Sequence, residues 1–319
     1  MEILTLGEVV VEFFAEKLNT QFTTTSKYLG PFPSGAAAIF IDVLGKLGVD
    51  ATIIGVIGND GFGDCIKSKL EKDGVKTCGL RVIEDLPTGV AFTNHFDNNI
   101  VNYIFFMKNA ACSRLKLDDI KEEFFKNIKY LHISGNTLLF SKMTRNVCLA
   151  AIDKTISNGG RLSFDLNIRP EMINLSDRTE IVSLFNYVIN RSYILFPSVG
   201  EFNILYGKCN EEKIIKKLAK KNVEIVALKM GKDGSRIYQK DNIIEIKPLE
   251  AKVKNRQGAG DCYDAGFLYG LLKGWDLIKA GTFANAIGTL ETTLFGPMNN
   301  INSLNEVIDF INNQRPGIF

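Results

Sequence analysis

Short apolar runs alternate along the whole chain with stretches whose apolar residues recur at helical spacing. The runs are rich in Ile, Val, Leu and Phe, and they are continuous enough to be buried on both faces of a parallel sheet. This alternation predicts an α/β fold built from βα units around one compact core. The predicted core strands cover residues 3–6, 51–57, 130–134, 161–166, 193–196 and 224–229. The predicted helices between them include residues 35–47, 63–72, 141–157 and 211–220.

Two segments interrupt this rhythm. Residues 9–14 form a further apolar run after the first strand, and the runs 90–96 and 101–106 flank a polar turn that begins at Asp97. The second pair predicts a β-hairpin. Strands of this kind form an edge or a separate small sheet, so we expect a β-sheet lid beside the ligand-binding edge of the core. The lid segments are about 9–32 and 86–109 of a single domain that covers residues 1–319.

Composition narrows the class of protein. The chain has 319 residues, of which 45% are hydrophobic, and this is enough for a large core. A net charge of +2 gives no field strong enough to indicate binding to nucleic acid or to an anionic membrane. The six cysteines form no Cys-x-x-Cys pair and only two histidines accompany them, which argues against zinc and against a disulfide framework. The chain shows no signal peptide and no membrane-spanning run, so we expect a cytoplasmic protein.

Residues 257–266 combine a flexible turn with the start of an apolar helix. The backbone amides of Gly258, Ala259 and Gly260 are not shielded by large side chains, and the positive end of the helix dipole lies beside them. We expect these amides to form an anion cradle, with Asp261 next to it as the base of a phosphoryl transfer. An aspartate that only caps the helix is the alternative interpretation.

Four motifs, in order along the chain, resemble the ribokinase-like or PfkB carbohydrate kinases. They are Gly7-Glu8 with Glu12, the helix start at Gly35 followed by residues 55–63, residues 164–170 and the cradle at 258–261. The resemblance implies a three-layer ribokinase-like core with a mostly parallel sheet and a small β lid. It also implies ATP as phosphoryl donor, Mg²⁺ on its phosphates and a sugar hydroxyl as acceptor. Asp261 holds the position of the family's general base, and the cradle amides would stabilise the charge on the transferred group.

The resemblance also implies which residues contact the nucleotide. Gly231 and Gly234 match a glycine turn that follows the strand ending near Lys229, and Asn285 matches a position that lines the adenine pocket. The expected nucleotide contacts are therefore Lys229, Gly231, Gly234, Gly258, Gly260 and Asn285. An ordinary hairpin turn at Gly231 and a buried, locally bonded amide at Asn285 remain the alternatives.

On the sugar side, Glu12 stands where relatives place an acid that grips sugar hydroxyls. Ile39 departs from the family pattern, because relatives show a sugar-binding Asn there; Asp42 lies near the same helical face and is the expected replacement. A solvated helix residue is the equal alternative for Asp42, and a solvated lid edge is the alternative for Lys108. The complete set of expected sugar contacts is Glu12, Ser34, Gly35, Asp42, Lys108 and Arg169.

Two departures from the family's sequence pattern concern residues that relatives use to bind cations. Glu201 matches the acid of an Asn-x-x-Glu motif that the family links to magnesium and phosphates, but Ser198 replaces the Asn. Its role is therefore indirect, or it is only a first-turn helix acid. Asn255 replaces an Asp that in relatives belongs to a monovalent-cation site. Since the amide is neutral, potassium activation is not expected.

The expected acceptor is a ketohexose of the fructose or tagatose type, because residues 33–42 and 295–298 resemble the tagatose-kinase branch. A 2-keto-3-deoxygluconate kinase is the close alternative, in which Arg169 and Lys108 would bind the carboxylate. A catalytically silent sugar- or nucleotide-binding protein of the same fold is a second alternative.

Two other enzyme classes are excluded by pattern. Phe40 occupies the position that a P-loop requires as its first glycine, and Gly7 is followed by Glu8 where a dinucleotide fingerprint would continue. The expected partners are a small sugar and ATP, without nucleic acid or membrane. The chain is expected to be a monomer, or a homodimer formed through the lid.

Overall fold

The computed structural model describes residues 1–97, 100–168, 178–221, 223–299 and 301–319. The strands are β1 (Ile3–Leu6), β2 (Val10–Ala15), β3 (Tyr28–Ser34), β4 (Ala51–Gly58), β5 (Lys76–Ile83), β6 (Gly89–His95), β7 (Val101–Phe106), β8 (Tyr130–Ser134), β9 (Arg161–Asp165), β10 (Ser192–Phe196), β11 (Ile225–Lys229), β12 (Ser235–Gln239) and β13 (Asn242–Ile246). The helices are α1 (Ala36–Lys46), α2 (Gly61–Lys72), α3 (Gly135–Phe140), α4 (Lys142–Ser157), α5 (Arg178–Ile189), α6 (Glu201–Tyr206), α7 (Glu211–Lys221), α8 (Ala259–Leu272), α9 (Leu277–Glu291) and α10 (Leu304–Asn312).

Nine strands form the main sheet in the order β13-β12-β11-β10-β9-β8-β1-β4-β5. The seven strands from β11 to β5 run parallel, and β12 and β13 add an antiparallel edge. Successive side chains of a strand point to opposite faces. Accordingly, Ile3 packs in one hydrophobic core and Leu4 in the other. Helices α1, α2, α8, α9 and α10 cover the first face, and α3 to α7 cover the second, which gives the expected three layers.

A second sheet of four strands has the order β3-β2-β6-β7. Strand β2 pairs antiparallel with β3 and parallel with β6, and β6 and β7 form the predicted antiparallel hairpin. Phe13 of β2 packs against Phe62 of α2, with ring centroids 5.8 Å apart, so this lid sheet is anchored to the core beside the first helices. None of the helices in the described ranges is long and apolar enough to span a bilayer.

Four strands were missing from the sequence prediction. Strand β3 contains Gly30, Pro31 and Pro33, which disguise it as a loop. The edge strand β5 and the hairpin β12–β13 are partly exposed and carry charged residues, so they lack the continuous apolar run that marks the inner strands. The inner strands that position the site are all present at the predicted places.

Candidate active site

The carboxyl ends of the central parallel strands bring polar residues to one edge of the main sheet. Asp165 ends β9, Lys229 ends β11, and Glu8 follows β1 by two residues. The three side chains are buried or nearly so, although the segments between them span more than 200 residues of sequence. Ligands of open α/β sheets bind at this edge, so we place the candidate site here.

The cradle predicted at residues 258–260 lies at the start of α8. Gly258 has φ 78°, and a Cβ at this position would lie 3.2 Å from Oε1 of Glu291, so glycine is favoured for both reasons. The first helical hydrogen bond runs from the Cys262 amide to the Gly258 carbonyl, at 2.9 Å. The amides of Ala259, Gly260 and Asp261 precede that ladder, as the first N–H groups of a helix do, and can serve an anion.

Asp261, half-buried in the first turn of α8, lies beside a pair of asparagines. Asn167 donates from Nδ2 to Asp261 Oδ1 at 3.4 Å, and Asn136 donates to Asn167 Oδ1 at 3.1 Å. Asn167 has φ 36°, a left-handed value that Asn tolerates better than most residues. Asn136 and Asn167 were not among the predicted site residues. Asn167 lies inside the third motif, but the contact joins residues 94 positions apart and has no local signal.

Lys229 holds two aspartates together beneath the cradle. Its Nζ lies 2.8 Å from Asp165 Oδ1 and 3.2 Å from each carboxylate oxygen of Asp264. Burial acts to lower the pKa of Lys229, but the carboxylates of Asp165, Asp264 and Glu201 outweigh it and raise that pKa. A Cβ built on Gly260 would lie 3.5 Å from the same Nζ, so a fixed positive charge sits directly below the cradle.

Glu201 completes this group, which we call the Lys229 cluster (Asp165, Glu201, Lys229 and Asp264). Glu201 accepts hydrogen bonds from the backbone amides of Ile168, at 2.9 Å, and Ser198, at 2.6 Å. Burial, reinforced by the Asp165 carboxylate, raises the pKa of Glu201 to about 7. Burial and then Asp165 also raise the pKa of Asp264 well above its ordinary value. Three carboxylates thus surround one ammonium group.

Glu12 connects the lid sheet to the cradle. Its side chain is only 2% exposed and accepts from Ser34 Oγ, at 2.8 Å, and from the Thr93 hydroxyl, both on lid strands. Gln257, the residue immediately before the cradle, donates from Nε2 to Glu12 Oε1 at 2.6 Å. Gly35 follows Ser34 with φ 107°, and a Cβ there would lie 2.3 Å from the Glu8 carbonyl oxygen, so the two strand ends meet closely.

Residues 2–304 match the model of the pfkB family carbohydrate kinases. This match covers most of the chain and includes both the cradle and the lid. The chain belongs to the pfkB family.

Individual relatives agree with this assignment. The kinase is 27% identical over 323 residues to the 5-dehydro-2-deoxygluconokinase of Clostridium perfringens, with 98% of this chain and 94% of that protein covered. A crystal structure from E. coli, described as a Ribokinase II in complex with ATP and Mg²⁺, superposes with TM-score 0.91 at 34% identity and covers 98% of this chain and 99% of that one. Fructokinase from Vibrio cholerae O395 shares the fold, with TM-score 0.84 at 24% identity and coverages of 97% and 99%.

Asp42 of the kinase does not join the other predicted sugar contacts. Its side chain is fully buried, with Oδ2 2.8 Å from Lys46 Nζ, one helical turn along α1. Lys46 also lies 3.5 Å from Asp73, and Lys69 contacts the same aspartate. The i, i+4 spacing of Asp42 and Lys46 was a signal for this pairing in the sequence. We call these four residues the Lys46 cluster.

The structure does not bring Lys108 and Arg169 together with the cradle. Lys108 is exposed and lines a cavity of about 810 Å³, together with Asp60, Thr88 and Phe106; its lining includes neither Glu12 nor the cradle. Arg169 lies outside the described residues.

The residues predicted to contact the nucleotide also have local structural roles. Gly231 opens the turn from β11 to the antiparallel β12, as a hairpin connection does. Gly234 has φ 86°, and a Cβ there would lie 2.2 Å from the Ile246 carbonyl oxygen, so the approach of β13 alone requires glycine. Asn285 is buried and donates to the carbonyls of Ile246 and Lys247, at 3.3 and 3.1 Å. These bonds tie α9 to the end of β13 and do not prevent contact with a ligand.

The described part of the chain supplies few ligands for a metal ion. Within the described ranges there is no group of three or more His, Cys, Asp or Glu side chains that could hold one. Both oxygens of Glu201 already accept backbone amides. The residues therefore fit a magnesium ion held mainly by nucleotide phosphates and water, which is how Mg²⁺ commonly binds in kinases.

Asn255 does not provide an anionic ligand for a monovalent cation. It is 4% exposed, and its Oδ1 accepts from the Gln257 amide at 3.0 Å. Its own backbone amide donates to the Thr292 carbonyl oxygen at 3.1 Å. The side chain thus organises the approach to the cradle.

Proposed function

We propose that this kinase transfers the γ-phosphoryl group of ATP to a hydroxyl of a small keto-sugar, with Asp261 as general base. The observation that carries the proposal is the position of Asp261 in the first turn of α8, one residue after the cradle and within reach of Asn167. Asp261 would take the proton of the attacking hydroxyl while the amides of residues 258–260 stabilise the charge that develops on the phosphoryl group. Lys229 would add positive charge from below.

The nucleotide is proposed to lie between the cradle and the turn at Gly231, near Asn285. Magnesium bound to its phosphates would neutralise their charge, while Lys229 and the cradle amides orient the terminal phosphate. Glu201 would act indirectly, because it fixes the backbone at Ile168 and Ser198. We propose that activity does not require potassium, since Asn255 offers a neutral amide that is already bonded to the Gln257 amide.

Asp261→Asn tests the central role. Loss of a general base lowers kcat by about 10²- to 10⁴-fold, while ATP binding is retained. Asp276→Asn is a matched control, because Asp276 caps α9 by accepting from the Lys279 amide at 2.8 Å and lies in no proposed site. The control should keep its turnover. Equal, negligible turnover in wild type and Asp261→Asn would instead favour the silent binding protein.

For the acceptor, we propose a keto-deoxy sugar acid of the kind named by 5-dehydro-2-deoxygluconokinase ahead of a neutral ketohexose. The support is the similarity to those relatives along nearly the whole chain. ADP release should be compared for 5-dehydro-2-deoxygluconate, 2-keto-3-deoxygluconate, D-fructose and D-tagatose. Turnover of the ketohexoses alone would reject the sugar acid. Lys108→Met, with Lys116→Met as control, then asks whether Lys108 contributes to binding of the carboxylate.

We also propose that two copies associate through the lid. Strand β7 is an edge strand, and Ile104, Phe105 and Phe106 on it are 37, 50 and 61% exposed. Such an edge can be protected by pairing with a second copy. Light scattering that gives only the monomer mass at micromolar concentration would reject this assembly.

A further inference from the structure

The side chain of Gln257 bridges the lid and the cradle but leaves one of its polar atoms unused. Its Nε2 donates to Glu12 Oε1 at 2.6 Å. An ionised carboxylate only accepts hydrogen bonds, so the amide must present its NH₂ group to Glu12. The other atom, Oε1, is buried and has no hydrogen-bond partner among the residues that the structure describes. A buried acceptor without a donor is costly, so this oxygen is available to a ligand that supplies the donor.

The surroundings hold this carboxamide in place. Glu12 is 2% exposed and is itself fixed by Ser34 and Thr93, which lie on two other strands of the lid sheet. On the cradle side, the backbone amide of Gln257 donates to Asn255 Oδ1 at 3.0 Å. Both ends of the side chain are therefore restrained, and little conformational entropy is lost when a ligand binds to it.

The same contacts change the role of Glu12. Its carboxylate accepts from three side chains of the protein itself, and it is almost fully buried. A sugar hydroxyl that bound Glu12 directly would compete with donors that are already in place. A hydroxyl that bound Gln257 Oε1 would compete with none that the structure describes.

We propose that Gln257 is a specificity-determining residue, whose side-chain oxygen accepts a hydrogen bond from one hydroxyl of the sugar while Glu12 orients the amide. This rests on the proposed function, and it puts the keto-sugar between the lid and the cradle. Because Gln257 directly precedes Gly258, the contact would also fix the sugar relative to Asp261. A sugar that lacks this hydroxyl would leave the oxygen buried and unpaired, so it would be rejected.

Gln257→Met tests the proposal, because Met has a similar length and makes neither hydrogen bond. The probes are 5-dehydro-2-deoxygluconate or D-fructose, whichever the wild type phosphorylates, each with analogues that lack one further hydroxyl. One analogue should be about tenfold or more poorer than its parent in wild-type kcat/KM, which is the effect of one such hydrogen bond. In Gln257→Met that ratio should fall to about twofold or less, the KM for the parent sugar should rise about tenfold, and the KM for ATP should not change.

Gln239→Met is the matched control, because Gln239 on β12 also donates from its side-chain amide to a glutamate, Glu224 Oε1, at 3.2 Å and lies in no proposed site. It should keep the wild-type preference for the parent sugar. If Gln257→Met does not fold, Gln257→Asn shortens the side chain by one methylene and should lose the preference in the same way. Retention of the full wild-type preference in a folded Gln257 variant overturns the proposal. If the wild type phosphorylates neither probe, both this proposal and the keto-sugar assignment are contradicted. If a folded Gln257 variant keeps the preference, only the role of Gln257 is contradicted.

Discussion

Among the described residues, two clusters each join a buried lysine to two aspartates, and they approach the cradle at different glycines. Lys229 contacts Asp165 and Asp264, at 2.8 and 3.2 Å, below Gly260. Lys46 contacts Asp42 and Asp73, at 2.8 and 3.5 Å, and donates at 2.6 Å to the carbonyl of Met298, whose amide bonds Glu291 beside Gly258. The two lysine side chains are similarly buried, with 10 and 7% exposed.

The clusters differ in their balance of charge. The Lys46 cluster holds two acids and two lysines, because Lys69 also contacts Asp73. The Lys229 cluster holds three acids and one lysine. Buried charge is destabilising unless it is paired, so a protein selected only for stability has no reason to keep the excess. An excess of buried carboxyl groups over lysines at the edge of the main sheet, more than burial itself, distinguishes the proposed functional cluster from the structural one.

Replacement of the two lysines should have the largest effect. Lys229→Met and Lys46→Met each leave buried aspartates without their cation, and we expect each to lower the free energy of unfolding by about 3–5 kcal/mol. Only Lys229→Met should also lower kcat per folded molecule, by about 100-fold or more, because only Lys229 lies below the proposed phosphoryl site. Urea unfolding and initial rates at low temperature measure the two effects. Equal losses of kcat would erase the distinction between the clusters.

The second-largest effect concerns the pH dependence of stability, to which Glu201 of the Lys229 cluster and Asp42 of the Lys46 cluster should contribute over different pH ranges. Burial raises the pKa of Glu201 to about 7 and, against the opposing effect of Lys46, raises the pKa of Asp42 to about 8. Each folded carboxyl retains a proton that the unfolded chain has released, so stability falls as pH rises from about 4.5 towards the folded pKa. For Glu201 the loss amounts to about 3 kcal/mol.

Glu201→Gln should reduce the slope of stability against pH only below about pH 7. Asp42→Asn should reduce that slope up to about pH 8. Urea unfolding of both variants and the wild type between pH 5 and 8.5 gives the slopes. The slope is the useful quantity, because Gln cannot accept both backbone amides that Glu201 accepts and will change the absolute stability as well. A variant with the wild-type slope would show that its carboxyl does not hold the proton.

The inner strands and the glycine turn at the start of α8 could be predicted because their signals are local. A strand buried on both faces has a continuous apolar run, and a Gly-Ala-Gly-Asp turn before an apolar helix is visible within ten residues. Strand β5 and the hairpin β12–β13, at the two ends of the main sheet, are partly exposed and share their composition with loops, so the sequence does not distinguish them.

The contacts that organise the site could not be predicted, because they join distant segments. Gln257 and Glu12 are 245 residues apart, and Asn167 and Asp261 are 94 apart. Asp42 was placed on the sugar side because helical spacing puts it near Ile39. The structure turns it to Lys46 on its own helix, since a fully buried carboxylate requires the nearer cation.

The smallest predicted effect concerns Gly258, which faces the Lys46 side of the cradle through Glu291. Alanine at φ 78° costs about 1–2 kcal/mol of stability, and its Cβ would also press on Glu291 Oε1 and Ile39. Gly274→Ala is the matched control, because Gly274 has φ 71° and nothing within 4 Å of its Cβ position. Both variants should lose similar stability in urea, but only Gly258→Ala should lose turnover, since only its amide belongs to the cradle. If both retain full turnover, the Gly258 backbone does not contact the transferred group, and the cradle is confined to the amides on the Lys229 side.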